Sequence, residues 1–596
     1  METKELLSKK KGYTLFAVLG FLCAFLWKAQ RDLAVMGNIL WTGQYVAGIL
    51  LFSAFVGATI GMAICFLVYG ILKHRWSKNS FGGWSKALVS KLPVPIFMRN
   101  VWKCQWKSWQ VFLGSFVLLL LAWLPCYLAY YPGICSYDTI IQLEQITTNN
   151  YIDHHPILHT LFLRWAMEFG GGVLENVTAG VGLYVALQVL FVIAALAYAV
   201  MVLHHFKTSK WGLLILQLFG MFYPFHWYMS VTTTKDTIFS AFFLAQVVSL
   251  YGWIKSGSEK RADKWKVTFV CLFELSTIGM MVFRNNGKFA MLVLFFFLVL
   301  AVLFGKKCRK VWASLLCYGA IGFAVGMLAL SGLSKATNAT QGDKREMLSM
   351  PIQQLARTMI YHGGIGVVPT DDNSLSQQEK ALIDEFLLNE SYRYYRPEIS
   401  DPVKSNTNTY VVRYRAKEFV STYLNLLLRY PGDYINAGLA LTAGFLSPAD
   451  VTHASINETE GLKGMGYIQT HWAESVLNEH GIYKASKWES LHEILEDWAD
   501  ENAYLNMPIL KYLFVPGMVL WAYLLTMGVC ILRRKYSYLM PLSLVLGYFG
   551  TLLLGPTVQL RYIYPLMLVL PFVWFLLAEN KSRLETVDVK CAETDM

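Results

Sequence analysis

The chain has 596 residues, 55% of them hydrophobic and only 15% charged, where a soluble globular protein carries about 25% charged residues. That composition excludes a soluble enzyme. The 52 Lys and Arg against 40 Asp and Glu give a formal net charge of +12, which in so apolar a chain points to cationic loops at an anionic leaflet and leaves nucleic acid the poorer partner.

At the N-terminus Lys4, Lys9, Lys10 and Lys11 precede an apolar run with no convincing cleavage site behind it, so a retained signal anchor is expected. Windows of about 17–25 apolar residues then recur, the length a helix needs to cross a bilayer while satisfying its own backbone. About twelve spans are predicted, near 13–28, 46–72, 109–131, 178–203, 211–229, 237–254, 267–283, 288–304, 312–332, 509–532, 537–555 and 559–577. Every second connection is basic: 73–107 carries eight Lys and Arg and no acid, and Lys207/Lys210, Lys260–Lys266, Lys306–Lys310 and Arg533–Lys535 follow. The positive-inside rule therefore places both termini in the cytoplasm and the long acidic segment 333–508 outside, in a multi-pass cell-membrane protein.

The expected fold class is an all-α polytopic membrane protein. Its predicted organisation is a two-span segment with a basic loop (1–108), a membrane core (109–332) with its first outer loop at 132–177, an extracytoplasmic domain (333–508), a three-span segment (509–578) and a cytoplasmic tail (579–596). Apolar residues at helical spacing after Ser376 and from Tyr410 onward make the outer domain mainly α-helical, inserted before the last three spans. None of the ten Cys lies in it, so no disulfide framework supports it. The apolar stretch 434–446 is too short to span and reads as an interfacial or re-entrant helix.

Polar residues beside spans are costly and mark function, and here they gather on the outer face. In the first outer loop Asp138 opens a short amphipathic helix after Pro132-Gly133, and His154-His155-Pro156 begins the next segment. Asp138 at the membrane boundary is a candidate base with a raised pKa, or a helix N-cap. His154 and His155, with His159 near by, either pack before a proline or join Asp138 around a divalent cation, although no strong ligand spacing such as HExxH is present. Lys235-Asp236 opens an apolar helix, Arg284 and Lys288 flank a short loop that should be free of cations, and Arg561 sits just inside the last span. Cations at that depth suit a lipid-linked phosphate.

This pattern resembles the GT-C class of integral-membrane glycosyltransferases, and within it bacterial multi-span members. The resemblance rests on Asp138 after a span, His155-Pro156 some sixteen residues on, Lys235-Asp236 opening a later helix, and Arg561-Tyr562 in the last outer loop. It covers roughly residues 109–577. Where relatives carry a second acid or His-Pro-Pro, this chain reads Tyr137-Asp138 and His155-Pro156-Ile157. The resemblance implies a polyprenyl-phosphate sugar donor, a cell-envelope acceptor, and inversion with Asp138 as base. It further implies Lys235, Arg284 and Arg561 on the donor phosphate, and His154, His155 and Asp236 positioning the acceptor or a divalent metal. A transporter or flippase for a lipid-linked or anionic precursor would also explain many spans with edge charges, and a receptor or assembly factor would need no base.

Overall fold

The computed structural model describes residues 2–73, 106–135, 137–208, 210–256, 264–305, 308–367, 373–449, 471–500, 507–508 and 510–577. Uninterrupted apolar runs give long helices, because a helix is the one open-ended element that leaves no backbone group unpaired in hydrocarbon. In chain order these are α1 (Glu2–Met36), α2 (Gly43–Lys73), α3 (Ser108–Ala129), α4 (Tyr137–Thr148), α5 (Ile157–Gly172), α6 (Val177–His205), α7 (Lys210–Phe222), α8 (Pro224–Val231), α9 (Lys235–Ser256), α10 (Lys264–Phe283), α11 (Asn285–Phe304) and α12 (Arg309–Ala336). After a polar stretch come α13 (Ser349–His362), α14 (Gln377–Phe386), α15 (Ala416–Arg429), α16 (Pro431–Leu441), α17 (His471–Glu479) and α18 (Glu489–Asp500), then the apolar α19 (Pro516–Leu532), α20 (Leu539–Leu552) and α21 (Leu560–Leu577). The described residues form no strand, only isolated bridges.

Among the described residues eight helices are long and apolar enough to cross a membrane, namely α1, α2, α3, α6, α9, α10, α11 and α12. The expectation of twelve is thus met only in part. The window 211–229 is divided at Pro224 into α7 and α8, and α19, α20 and α21 hold 17, 14 and 18 residues, the last with two prolines inside. Hydropathy averages across such breaks, whereas proline removes the backbone donor that would continue the helix.

α1 and α2 pair closely because Gly20 and Gly57 face each other. A Cβ on Gly57 would lie within 2.4 Å of Phe21 backbone atoms, the close approach that small residues permit between membrane helices. α9 is the central helix: 83% of its apolar window is buried inside the protein, against 22% for α3 and α12. It packs on α6, α10 and α21, so whatever stands at its N-terminus is surrounded by other elements.

The segment expected as one outer domain has two parts. The first, around α13–α16, has its own core, including Ile352, Leu355, Phe386, Phe419 and Leu426. Ser376 and Glu379 close a capping box at the start of α14, and the helix expected from Tyr410 is broken at Arg415 into Thr409–Tyr414 and α15. We call this part the cap. The second part, α17–α18, lies on the membrane bundle: Tyr228 donates to the Leu495 carbonyl (2.6 Å), and Trp498 stacks on Tyr228. The apolar stretch 434–446 becomes α16 and the short helix Ala443–Leu446 against α1 and α19, with Gln30 donating to the Leu439 carbonyl (3.2 Å) and Trp521 to that of Leu446 (2.8 Å). It does not span.

Candidate functional site

The loop between α3 and α4 is fastened to the start of α9 by backbone. Pro132-Gly133 ends the run of α3; Gly133 has φ +144°, and a Cβ there would press on Val185 at 2.6 Å. Beyond it Ile134 bridges Thr232 in parallel, with Ile134 N–H donating to Val231 O (2.9 Å) and Thr233 N–H to Ile134 O (2.8 Å). Thr139 Oγ1 adds a bond to Thr233 O at 2.6 Å. These contacts set the first turn of α4 beside the first turn of α9, and so Asp138 beside Lys235, 97 positions later.

Lys235 Nζ donates to Asp138 Oδ2 (2.5 Å) and to His155 Nδ1 (3.1 Å). Arg561, the second residue of α21, brings NH1 to 3.3 Å from the same carboxylate oxygen, and its Nε lies 3.9 Å from Asp236 Oδ2. Arg284, the N-cap residue of α11, forms a buried ion pair with Asp236 and stands 4.9 Å from the Tyr562 ring centroid, with Tyr548 and Phe239 beyond. Five of the seven predicted site residues, Asp138, Lys235, Asp236, Arg284 and Arg561, are thus one chain of alternating charge, and His155 is hydrogen-bonded to it. His154, exposed, stacks edge-on against His155 at 4.6 Å and feels the charges of Glu346 and Lys404 from the cap. Lys288 stands apart, partly exposed, over the ring of Phe289.

Two features favour an anion here. Three cations face two carboxylates, leaving one positive charge in surplus. In addition α4, α9, α11 and α21 all begin at this point and α5 begins just after His155, so the partial positive charge of five helix N-termini adds to the cations.

The carboxylate is not the one expected. Burial alone would raise the Asp138 pKa, but Arg561 first and Lys235 second outweigh it and hold the group well below the usual carboxylate range. The expectation of a raised pKa is therefore corrected: the cations come from elements too far away in the chain to be paired with Asp138 by inspection. Both cations take Oδ2, and no described residue bonds Oδ1.

The imidazole is equally constrained. An ammonium only donates, so His155 Nδ1 is an acceptor and Nε2 carries the proton. Nε2 is buried and has no hydrogen-bond partner among the described residues, as has Asp236 Oδ2. Burial first and the Lys235 charge second push the His155 pKa down to about 2. Since this lies below the ordinary value of 6.5, protonation favours the unfolded chain. The contribution is full above about pH 6.5 and is lost as pH falls below it, by at most about 1.4 kcal/mol per pH unit. His155→Asn removes that slope, so the melting temperature of the variant drops less than that of the wild type between pH 7.5 and 5.5. Equal drops would contradict a neutral ring.

The metal set Asp138, His154 and His155 is not supported. No group of three or more His, Cys, Asp or Glu among the described residues is placed to share an ion, because Lys235 occupies the space between Asp138 and His155 where a cation would go.

Several supporting residues carry no signal of their own in sequence. Gln559 accepts from Arg561 Nε at 2.6 Å. Gln142, His159, Tyr184 and Gln188 form a buried run of hydrogen bonds, and Gln188 Nε2 donates to Ser230 O (2.9 Å) and Thr232 O (2.7 Å), holding the loop that precedes Lys235. His159 is therefore a structural histidine. Tyr548, beside Arg284, sits in an apolar run and looks like an ordinary core aromatic.

Residues 146–590 match DUF6020, a family of unknown function. The match covers well over half of the chain and includes every predicted site residue except Asp138. No curated protein and no solved structure matches the chain.

Proposed function

We propose, for a chain that belongs to the DUF6020 family of unknown function, that it is an integral-membrane glycosyltransferase that moves a sugar from a polyprenyl-phosphate donor to a cell-envelope acceptor on the extracytoplasmic face. The observation that supports this reading most is the Asp138 carboxylate, tethered through one oxygen to Lys235 and Arg561 while no described residue bonds its other oxygen.

In this reading the donor phosphate enters between Lys235 and Arg561, and His155 Nε2–H gives it or the sugar a further donor. The phosphate competes with Asp138 for the two cations. As they turn to it, their hold on the carboxylate weakens and Asp138 becomes a better base. The acceptor hydroxyl then gives its proton to Asp138 Oδ1 while its oxygen bonds to the anomeric carbon. The bond from that carbon to the phosphate oxygen breaks with inversion, and the electron pair leaves on polyprenyl phosphate. Lys235 and Arg561 stabilise the charge that develops on the leaving oxygen, which is where such groups lower a barrier. Arg284, paired with Asp236, orients that end of α9 and adds to the positive potential.

The test is binding of a polyprenyl monophosphate to the purified protein together with its release from a polyprenyl-phosphate sugar in the presence of an envelope acceptor extract. Arg561→Gln is expected to weaken binding by about tenfold or more, the scale of one charge-assisted hydrogen bond, and added salt to weaken it further. Binding without release, coupled to movement of the lipid across reconstituted vesicles, would overturn the enzyme in favour of a transporter.

A further inference from the structure

The cap carries an apolar surface that its own core does not use. α15 turns Phe419 and Leu426 inward, where both are buried. Its opposite side repeats Val420, Leu424 and Leu428 at intervals of four, one line along a helix, and all three are exposed, Leu428 to 80%. The short helix before it carries Tyr410 and Tyr414, exposed and stacked on each other at 5.7 Å. Arg413 and Lys417 stand exposed beside these rings. Glu418, the nearest acid, is already paired with Arg415.

The position of this stripe names what covers it. α15 passes through Tyr430 directly into α16, which is seated on the end of the α1–α2 hairpin. Asn436 donates to Asn38 Oδ1 (2.8 Å) and Ile39 O (2.9 Å), and a Cβ on Gly432 would lie 3.1 Å from Trp41. That end of the hairpin exposes Val35, Met36 and Leu40, the last to 71%, at the mouth of two membrane-crossing helices. Leu428 is four residues from the Gly432–Trp41 contact, so the stripe lies next to the apolar rim at the end of two helices long and apolar enough to cross a membrane. An amphipathic helix with Leu and Val on one side, tyrosines at one end and Arg and Lys at its edge is the composition that lies in a bilayer interface, with the rings and cations at headgroup depth.

We infer that α15 and the preceding Tyr410–Tyr414 turn dock on the bilayer leaflet beside the site, so that lipid covers Val420, Leu424 and Leu428. The cap is also tied to the loops that carry the site. Asp153 N–H donates to Thr340 O (3.0 Å), Thr340 N–H to Tyr151 O (2.9 Å), and Ser400 N–H to Pro556 O (2.9 Å). Lipid contact thus fixes the height of the cap over a site that takes its ligand from the membrane plane. The docking itself does not depend on which reaction the site performs.

The experiment places a fluorescent amino acid at Leu424, or at Tyr414 in a second variant, in the full-length protein in phosphatidylcholine–phosphatidylglycerol nanodiscs whose acyl chains are brominated. Leu118, exposed on α3, serves as the lipid-facing reference and Gln378 on α14 as the polar one. Quenching at 424 or 414 approaching that at 118 is expected. Quenching at both no greater than at 378 would overturn the proposal, as would cross-linking between two copies through Cys introduced at 424, which would assign the stripe to a second chain.

Discussion

Asp138→Asn is expected to lower sugar transfer by about 10²–10⁴-fold, the range that removal of a general base spans, without loss of donor binding. Affinity for the phosphate should rise, because the neutral amide oxygen holds Lys235 and Arg561 more weakly than the carboxylate and leaves both more available to the anion. This pairing of effects separates a base from a structural counter-ion. A merely structural Asp138 would take folding and binding down together when neutralised, since two part-buried cations would lose their partner. The measurement is polyprenyl-phosphate affinity and single-turnover release on the same preparation, with the melting temperature as a check on folding. Turnover unchanged would sink the base assignment; binding and turnover lost together in a folded protein would make Asp138 a binding residue.

Arg284→Met is expected to destabilise the protein by about 3–5 kcal/mol, because Asp236 then remains as a buried carboxylate with its main partner gone. The Asp236 side chain has no exposed surface and that of Arg284 only 8%, and the nearest other cation, Arg561, is 3.9 Å from Asp236, beyond hydrogen-bond range. Asp236→Leu alone should be comparably harmful, leaving a guanidinium enclosed by Phe239, Tyr548 and Tyr562. The double variant should recover much of the loss, since replacing both ions by apolar groups removes the desolvation penalty as well as the attraction. Thermal or denaturant unfolding of the three proteins in one detergent tests this. Additive losses in the double variant would show that the pair is not coupled.

Much of the site was legible because each of its residues breaks a local rule. Asp138, Lys235, Asp236, Arg284 and Arg561 are charges at the ends of apolar helices, where burial is costly unless something repays it, and the structure brings all five together. The partners were not legible. A carboxylate next to a span reads as desolvated and raised in pKa; only the return of the chain from position 561 supplies the second cation that lowers it. Likewise three histidines near two aspartates resemble a metal site until Lys235 is found between His155 and Asp138.

Composition by itself determined that this is a multi-pass helical membrane protein, because burial of backbone in hydrocarbon leaves helices as the answer to long apolar runs. Pro224 between α7 and α8, Pro516 at the start of α19 and Pro565 inside α21 were also in the sequence, yet averaging over windows hid how they divide or shorten the apolar helices. The cap's helices announced themselves by periodicity, but α15 shows the limit of that signal: its two apolar sides look alike in sequence, and only packing decides that Phe419 faces a protein core while Leu424 and Leu428 face outward. Tertiary structure alone decided the charge state of Asp138, the tautomer of His155 and the convergence of five helix ends. Each is set by electrostatics and hydrogen bonding that act through a few ångströms of space and hundreds of residues of chain.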